Sequence, residues 1–108
     1  MTKWTLNQTW KYCLKMWKWI AEQVQKNNVW YIEELKQQWL QEHKFSKNLC
    51  NNCFFCDYNE QDDCSGCPGK LVTKSFDCCN HAYHFVHSPI KFYKKLLQLD
   101  KKRRHKND

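Results

Sequence analysis

TLNQTWKYCLKMWKWIAEQVQK, residues 5–26, decides the fold class. Leu6, Trp10, Cys13, Leu14, Trp17, Ile20, Ala21 and Val24 recur at three- and four-residue steps, the spacing that places side chains on one face of an α-helix. Lys11, Lys15, Lys18 and Glu22 fall opposite. Tyr12, Met16 and Trp19 widen the apolar arc beyond what one core face requires. A helix sandwiched between two partners of its own chain buries such an arc, and this is the plainer reading. The functional reading makes Tyr12, Met16 and Trp19 an exposed patch that docks another protein, since Trp and Tyr dominate interface hot spots.

Working outward, Asn27 and Asn28 suit a C-cap followed by an N-cap, and a second helix is expected over residues 29–43. Ile32, Leu35 and Trp39 form its stripe, with Leu40 alongside and Val29 and Trp30 at its entry. All six tryptophans precede residue 40, which supplies the bulk that a core in a 108-residue chain needs. Near the other end, Ser88-Pro89 announces a helix, with Ser88 as N-cap and Pro89 at its first position. Ile90, Tyr93, Leu96, Leu97 and Asp100 are expected on its inner face, flanked by Phe92 and Leu99. It runs into KKRRHK (101–106), where cations complement the helix dipole.

Residues 50–87 lack periodicity and are rich in turn formers. LVTKSF (71–76) is expected as a short strand, and HAYHFVH (81–87) as a strand or short helix. The predicted architecture is mainly α: a Trp-rich helical hairpin (1–49), an irregular Cys/His unit resembling a zinc knuckle or ribbon (50–87), and a basic helix with its tail (88–108), packed as one domain.

Eight cysteines in so short a chain mean either a disulfide scaffold or a metal site. The first residues do not read as a secretory signal and no apolar run approaches a membrane span, so a reducing cytoplasm and thiolate–metal chemistry are the expectation. Cys53-Phe-Phe-Cys56 and Cys64-Ser-Gly-Cys67 are two Cys-x-x-Cys knuckles, whose two-residue gap lets both sulfurs reach one ion at about 2.3 Å. Zinc is favoured because four thiolates around a redox-inert ion are its usual structural set, an iron–sulfur cluster being the lesser alternative. One zinc on Cys53, Cys56, Cys64 and Cys67 is expected. A second site, or substitute ligands, stays open from Cys50, Cys78, Cys79, His81 and His84, although each histidine by itself reads first as a surface or hydrogen-bonded group. Cys13, on the apolar stripe, reads as a core residue.

The charge is +7, distributed as +4 over residues 1–49, −3 over 50–87 and +6 over 88–108, so the cysteine unit is acidic and the ends are basic. A closed all-thiolate site has no open position for water. His-x-Glu with Pro-Cys-x-x-Cys, HExxH, a nucleophile elbow and a phosphate-cradling glycine loop are all absent from the sequence. The reading is non-enzymatic, with no small-molecule substrate.

The Trp-rich helix (TWKYCLKMWKWIAE), NCFFCDY, CSGCPGK, a late cysteine and the basic terminal helix resemble small zinc-binding proteins of phages and prophages. Cys78-Cys79 and the three closely spaced histidines depart from that layout. The resemblance implies an accessory phage product in the host cytoplasm that binds and inhibits a host protein, antiviral-defence components included. A protein-binding module is therefore the first functional expectation. The alternative is a nucleic-acid binder using Lys94, Lys95, Lys101, Lys102, Arg103 and Arg104, with Phe92 and Tyr93 near enough to stack on bases.

Overall fold

The computed structural model describes residues 5–27, 31–44, 54–55, 67–78 and 82–105. Among these residues every regular element is helical: α1 (Leu6–Asn27), α2 (Ile32–Glu42), α3 (Pro68–Val72) and α4 (Pro89–His105). No helix among them is long and apolar enough to cross a membrane.

α1 opens with a reciprocal capping box. Gln8 N–H donates to Thr5 Oγ1 at 3.1 Å, and Thr5 N–H donates to Gln8 Oε1 at 3.0 Å, which satisfies two of the backbone donors left over at a helix start. The Thr9 hydroxyl, fully buried, donates to Thr5 O at 2.9 Å. Trp10, Cys13, Met16, Trp17, Ile20, Ala21 and Val24 are buried along α1. The arc is wide because α4 packs on one side of the helix and α2 on another. Met16, expected in an exposed patch, is completely buried, while Tyr12 and Trp19 pack against the core and stay partly exposed.

α1 and α4 run antiparallel. Arg103, near the end of α4, reaches Asn7 near the start of α1 at 2.7 Å, while Phe92 lies against Trp17 with ring centroids 4.8 Å apart. The buried face of α4 carries Phe92, Leu96, Leu99 and Asp100, and Leu97 is 42% exposed. The expected inner face centred on Tyr93 and Leu97 is thus rotated by a fraction of a turn. The start is as read: Pro89 opens the helix and Phe92 N–H donates to Ser88 O at 2.8 Å.

α2 begins at Ile32, after an exposed Tyr31, and Val29 and Trp30 lie outside the described residues. It ends where His43 stacks on Trp39 with centroids 3.9 Å apart, and the chain leaves through Lys44 at a left-handed φ of 60°.

Residues 71–76 are not a strand. Leu71 and Val72 complete α3, Thr73 N–H donates to Gly69 O at 3.2 Å, and a turn returns Phe76 N–H to Thr73 O at 3.1 Å. Pro68 presets the helical φ at the start of α3 and outweighs the β-branched Val72–Thr73 pair. The described part of HAYHFVH, residues 82–87, forms turns tied by Phe85 N–H to Cys78 O at 3.2 Å and Ser88 N–H to His84 O at 2.7 Å.

Phenylalanines join these pieces. Phe55 meets Trp10 (4.8 Å between centroids) and Phe76 (6.2 Å), Phe54 meets Trp39 (6.0 Å), and Phe76 meets Phe92 (6.1 Å). Phe54 and Phe55 are buried, so the two residues between Cys53 and Cys56 belong to the core itself.

Candidate functional site

Of the expected metal ligands, Cys53, Cys56 and Cys64, together with Cys50, Cys79 and His81, lie outside the described residues. Cys67, Cys78 and His84 lie within them. Cys67 occupies the N-cap position of α3 and its carbonyl accepts from Leu71 N–H at 3.0 Å. Cys67 and Cys78 are both half-buried against the core cluster.

Phe76 links their segments. A Cβ on Gly69 would stand 2.5 Å from Phe76 Cδ2, so the α3 backbone lies directly on that ring. The same ring touches Phe55 and stacks on Tyr83 with centroids 6.0 Å apart. Cys67 precedes Gly69 by two positions and Cys78 follows Phe76 by two. Cys67 and Cys78 are therefore carried by the two arms of a stretch that folds back on one aromatic residue. Among the described residues no three His, Cys, Asp or Glu side chains converge in a metal-binding group.

His84 has a different task in this geometry. Val86 N–H donates to its Nδ1 at 3.1 Å, which places the proton of the neutral ring on Nε2. The ring stacks on Phe85 (5.3 Å) and lies 4.7 Å from the His87 ring, closing the turn before α4.

The basic helix divides into cations engaged within the fold and cations facing solvent. Arg103 is engaged: its Nη2 is 3.0 Å from Asp100 Oδ1, its Nη1 donates to Asn7 Oδ1, and its guanidinium lies over the Trp10 ring at 5.0 Å from the centroid. Lys95 is half-buried, over the Tyr83 ring at 5.3 Å and 3.4 Å from Gln98 Oε1. Lys94, Lys101, Lys102 and Arg104 are exposed, Arg104 also pairing with Asp100 Oδ2 at 3.1 Å. Phe92 is only 4% exposed and surrounded by Trp17, Phe76 and Phe85, so it has no face for a base. Tyr93 is half-buried, and burial, assisted by the Glu22 charge, raises its phenol above the ordinary 10.0.

Lys36 escaped the sequence reading. Its residue is 3% exposed, its ammonium pairs with Glu33 at 3.0 Å and lies 5.0 Å from the Phe85 ring centroid. The available signal was its position in the same stripe as Ile32, Leu35 and Trp39, where a long aliphatic stem can line a core.

No family model, curated protein or solved structure matches the chain.

Proposed function

We propose that the protein is a non-catalytic nucleic-acid binder whose contact surface includes the outer side of α4. The observation that carries this reading is the split among the α4 cations: Arg103 and Lys95 are held by the fold, whereas Lys94, Lys101, Lys102 and Arg104 are presented to solvent from a helix fixed at both ends. Ammonium groups on a rigid helix exchange counterions for phosphates, which gives affinity without base contacts. In this reading a zinc ion on Cys53, Cys56, Cys64 and Cys67 serves the scaffold, and Cys50, Cys78 and Cys79 are reserve or second-site thiols. Cys67 and Cys78, both seated against the core, support that scaffolding role.

Binding of labelled duplex DNA and RNA, followed by anisotropy over a series of salt concentrations, tests the proposal. The Lys94→Gln/Lys101→Gln/Lys102→Gln variant is expected to lower the slope of log affinity against log salt by about 2–3, roughly 0.9 per lost phosphate contact. An unchanged slope removes α4 from the surface.

One observation favours a second reading. Leu97 is 42% exposed on the cation-rich helix, and an apolar residue flanked by Lys94 and Lys101 suits an acidic protein surface. The resemblance to phage accessory proteins points the same way, toward an inhibited host protein. Leu97→Ala separates the two, weakening capture of a protein while leaving nucleic-acid affinity unchanged.

A further inference from the structure

We infer that Lys11, Lys15 and Lys18 of α1 form a second cationic row beside α4, and that the two rows together hold the phosphate backbone of a nucleic-acid duplex without reading its bases. The inference rests on the nucleic-acid reading above and adds residues and a substrate class to it.

Asn7, Lys11, Lys15, Lys18 and Glu22 follow one another at steps of four, four, three and four, so they share one stripe of α1. The start of that stripe adjoins α4: Asn7 Oδ1 accepts from Arg103 Nη1 at 2.7 Å. Farther along, Trp17, next to Lys18 in the chain, packs on Phe92 with centroids 4.8 Å apart, so the antiparallel α4 accompanies α1 over the length of the lysine row. On α4, Tyr93, Leu97, Asp100 and Arg104 share one stripe beside the buried Phe92, Leu96 and Leu99, and Lys94 and Lys101 lie beyond it. Lys11, Lys15 and Lys18 are exposed, and none forms an ion pair among the described residues.

Geometry and charge suit a stiff polyanion. Each row extends about 10 Å along its helix at 1.5 Å per residue, and the axes of packed helices lie about 8–10 Å apart. Asp100 is offset by Arg103 and Arg104, which leaves Glu22 as the one acid in the α1 row.

The choice of duplex over single strand follows from what α1 and α4 lack among the described residues. Binding single strands relies on aromatic platforms, yet among the described residues of α1 and α4 Trp10, Trp17 and Phe92 are buried and Tyr12, Trp19 and Tyr93 are half-buried. Base-edge reading relies on Arg, Asn or Gln placed bidentately, but on α4 Arg103 is committed to Asp100 and Asn7, Arg104 pairs with Asp100, and Gln98 is met by Lys95. The remaining cations of the two rows are lysines, which address phosphates, and a duplex offers the higher line charge.

The full-length protein and its Lys11→Gln/Lys15→Gln/Lys18→Gln variant are compared with a Lys44→Gln/Lys74→Gln control, on two duplexes of unrelated sequence and on one single strand. Circular dichroism confirms that each variant is folded. The α1 variant is expected to lose about 2–3 from the salt slope and the control nothing, with equal affinity for both duplexes and weaker binding to the single strand. A full slope in the α1 variant overturns the second row. Tighter binding to one duplex sequence, or to the single strand, overturns the backbone-only mode. Absence of any binding by the unaltered protein instead brings down the underlying functional reading.

Discussion

Arg103 shows how a cation in a basic run becomes part of a core. Its side chain is 14% exposed and that of Asp100 10%, so their pair is largely shielded from water, and the guanidinium also covers Trp10. The arrangement is incompletely satisfied: Arg103 Nε and Trp10 Nε1 find no acceptor among the described residues, which offsets part of what the contacts contribute. Removing the guanidinium leaves the Asp100 carboxylate with the exposed Arg104 as its ion-pair partner. Arg103→Ala is expected to cost about 2–4 kcal/mol in urea unfolding. Arg103→Lys should recover less than half, because an ammonium cannot reproduce the planar fork that meets Asp100, Asn7 and Trp10 together. Full rescue by lysine would show that charge alone matters there.

Among the elements, α1 was the most legible, and its 3.6-residue periodicity gave nearly its full length and most of its buried set. The width of its arc was also legible, but its cause was not: whether Met16 faced a partner protein or the chain's own core depends on packing that periodicity does not encode. α4 was legible at its start, through Ser88-Pro89, and mis-phased along its length. Asp100 was read on the inner face and is buried, but hydrophobicity also placed Leu97 there, whereas the helix instead brings the half-buried Arg103 against Asp100 and the Trp10 ring. α3 was missed, since five residues containing a glycine and a proline carry no usable period. The reason for that glycine is the nearness of Phe76. Gly69→Ala is expected to cost about 1–3 kcal/mol, because its methyl would meet the Phe76 ring at 2.5 Å. Pairing it with Phe76→Leu should restore part of the loss, measured as non-additivity in a double-mutant cycle. Strict additivity would mean that the ring moves away freely.

At the scale of the whole molecule, charge and sulfur are segregated. The acidic cysteine unit lies between basic ends, and its described parts join the same aromatic core as the helices through Phe54, Phe55 and Phe76. The candidate cations could be named from sequence, but not their division into engaged and exposed members, which required the contacts of Arg103 and Lys95. Metal removal is expected to reach beyond the loops, since the thiols flank core phenylalanines. Elemental analysis should give one zinc per chain, and a strong chelator should lower the thermal unfolding midpoint by well over 10 °C, given the large binding energies of structural zinc. A chain without metal, equally heat-resistant in chelator, would contradict the proposed site.

The guanidinium lying over Trp10 has an optical consequence. An indole with a fixed positive charge at 5.0 Å from its centre carries a built-in Stark field, so its emission reports on the last turn of α4. A polyanion that draws that turn outward would change the colour of the protein's fluorescence, and the chain would thus signal its own occupancy without any attached dye.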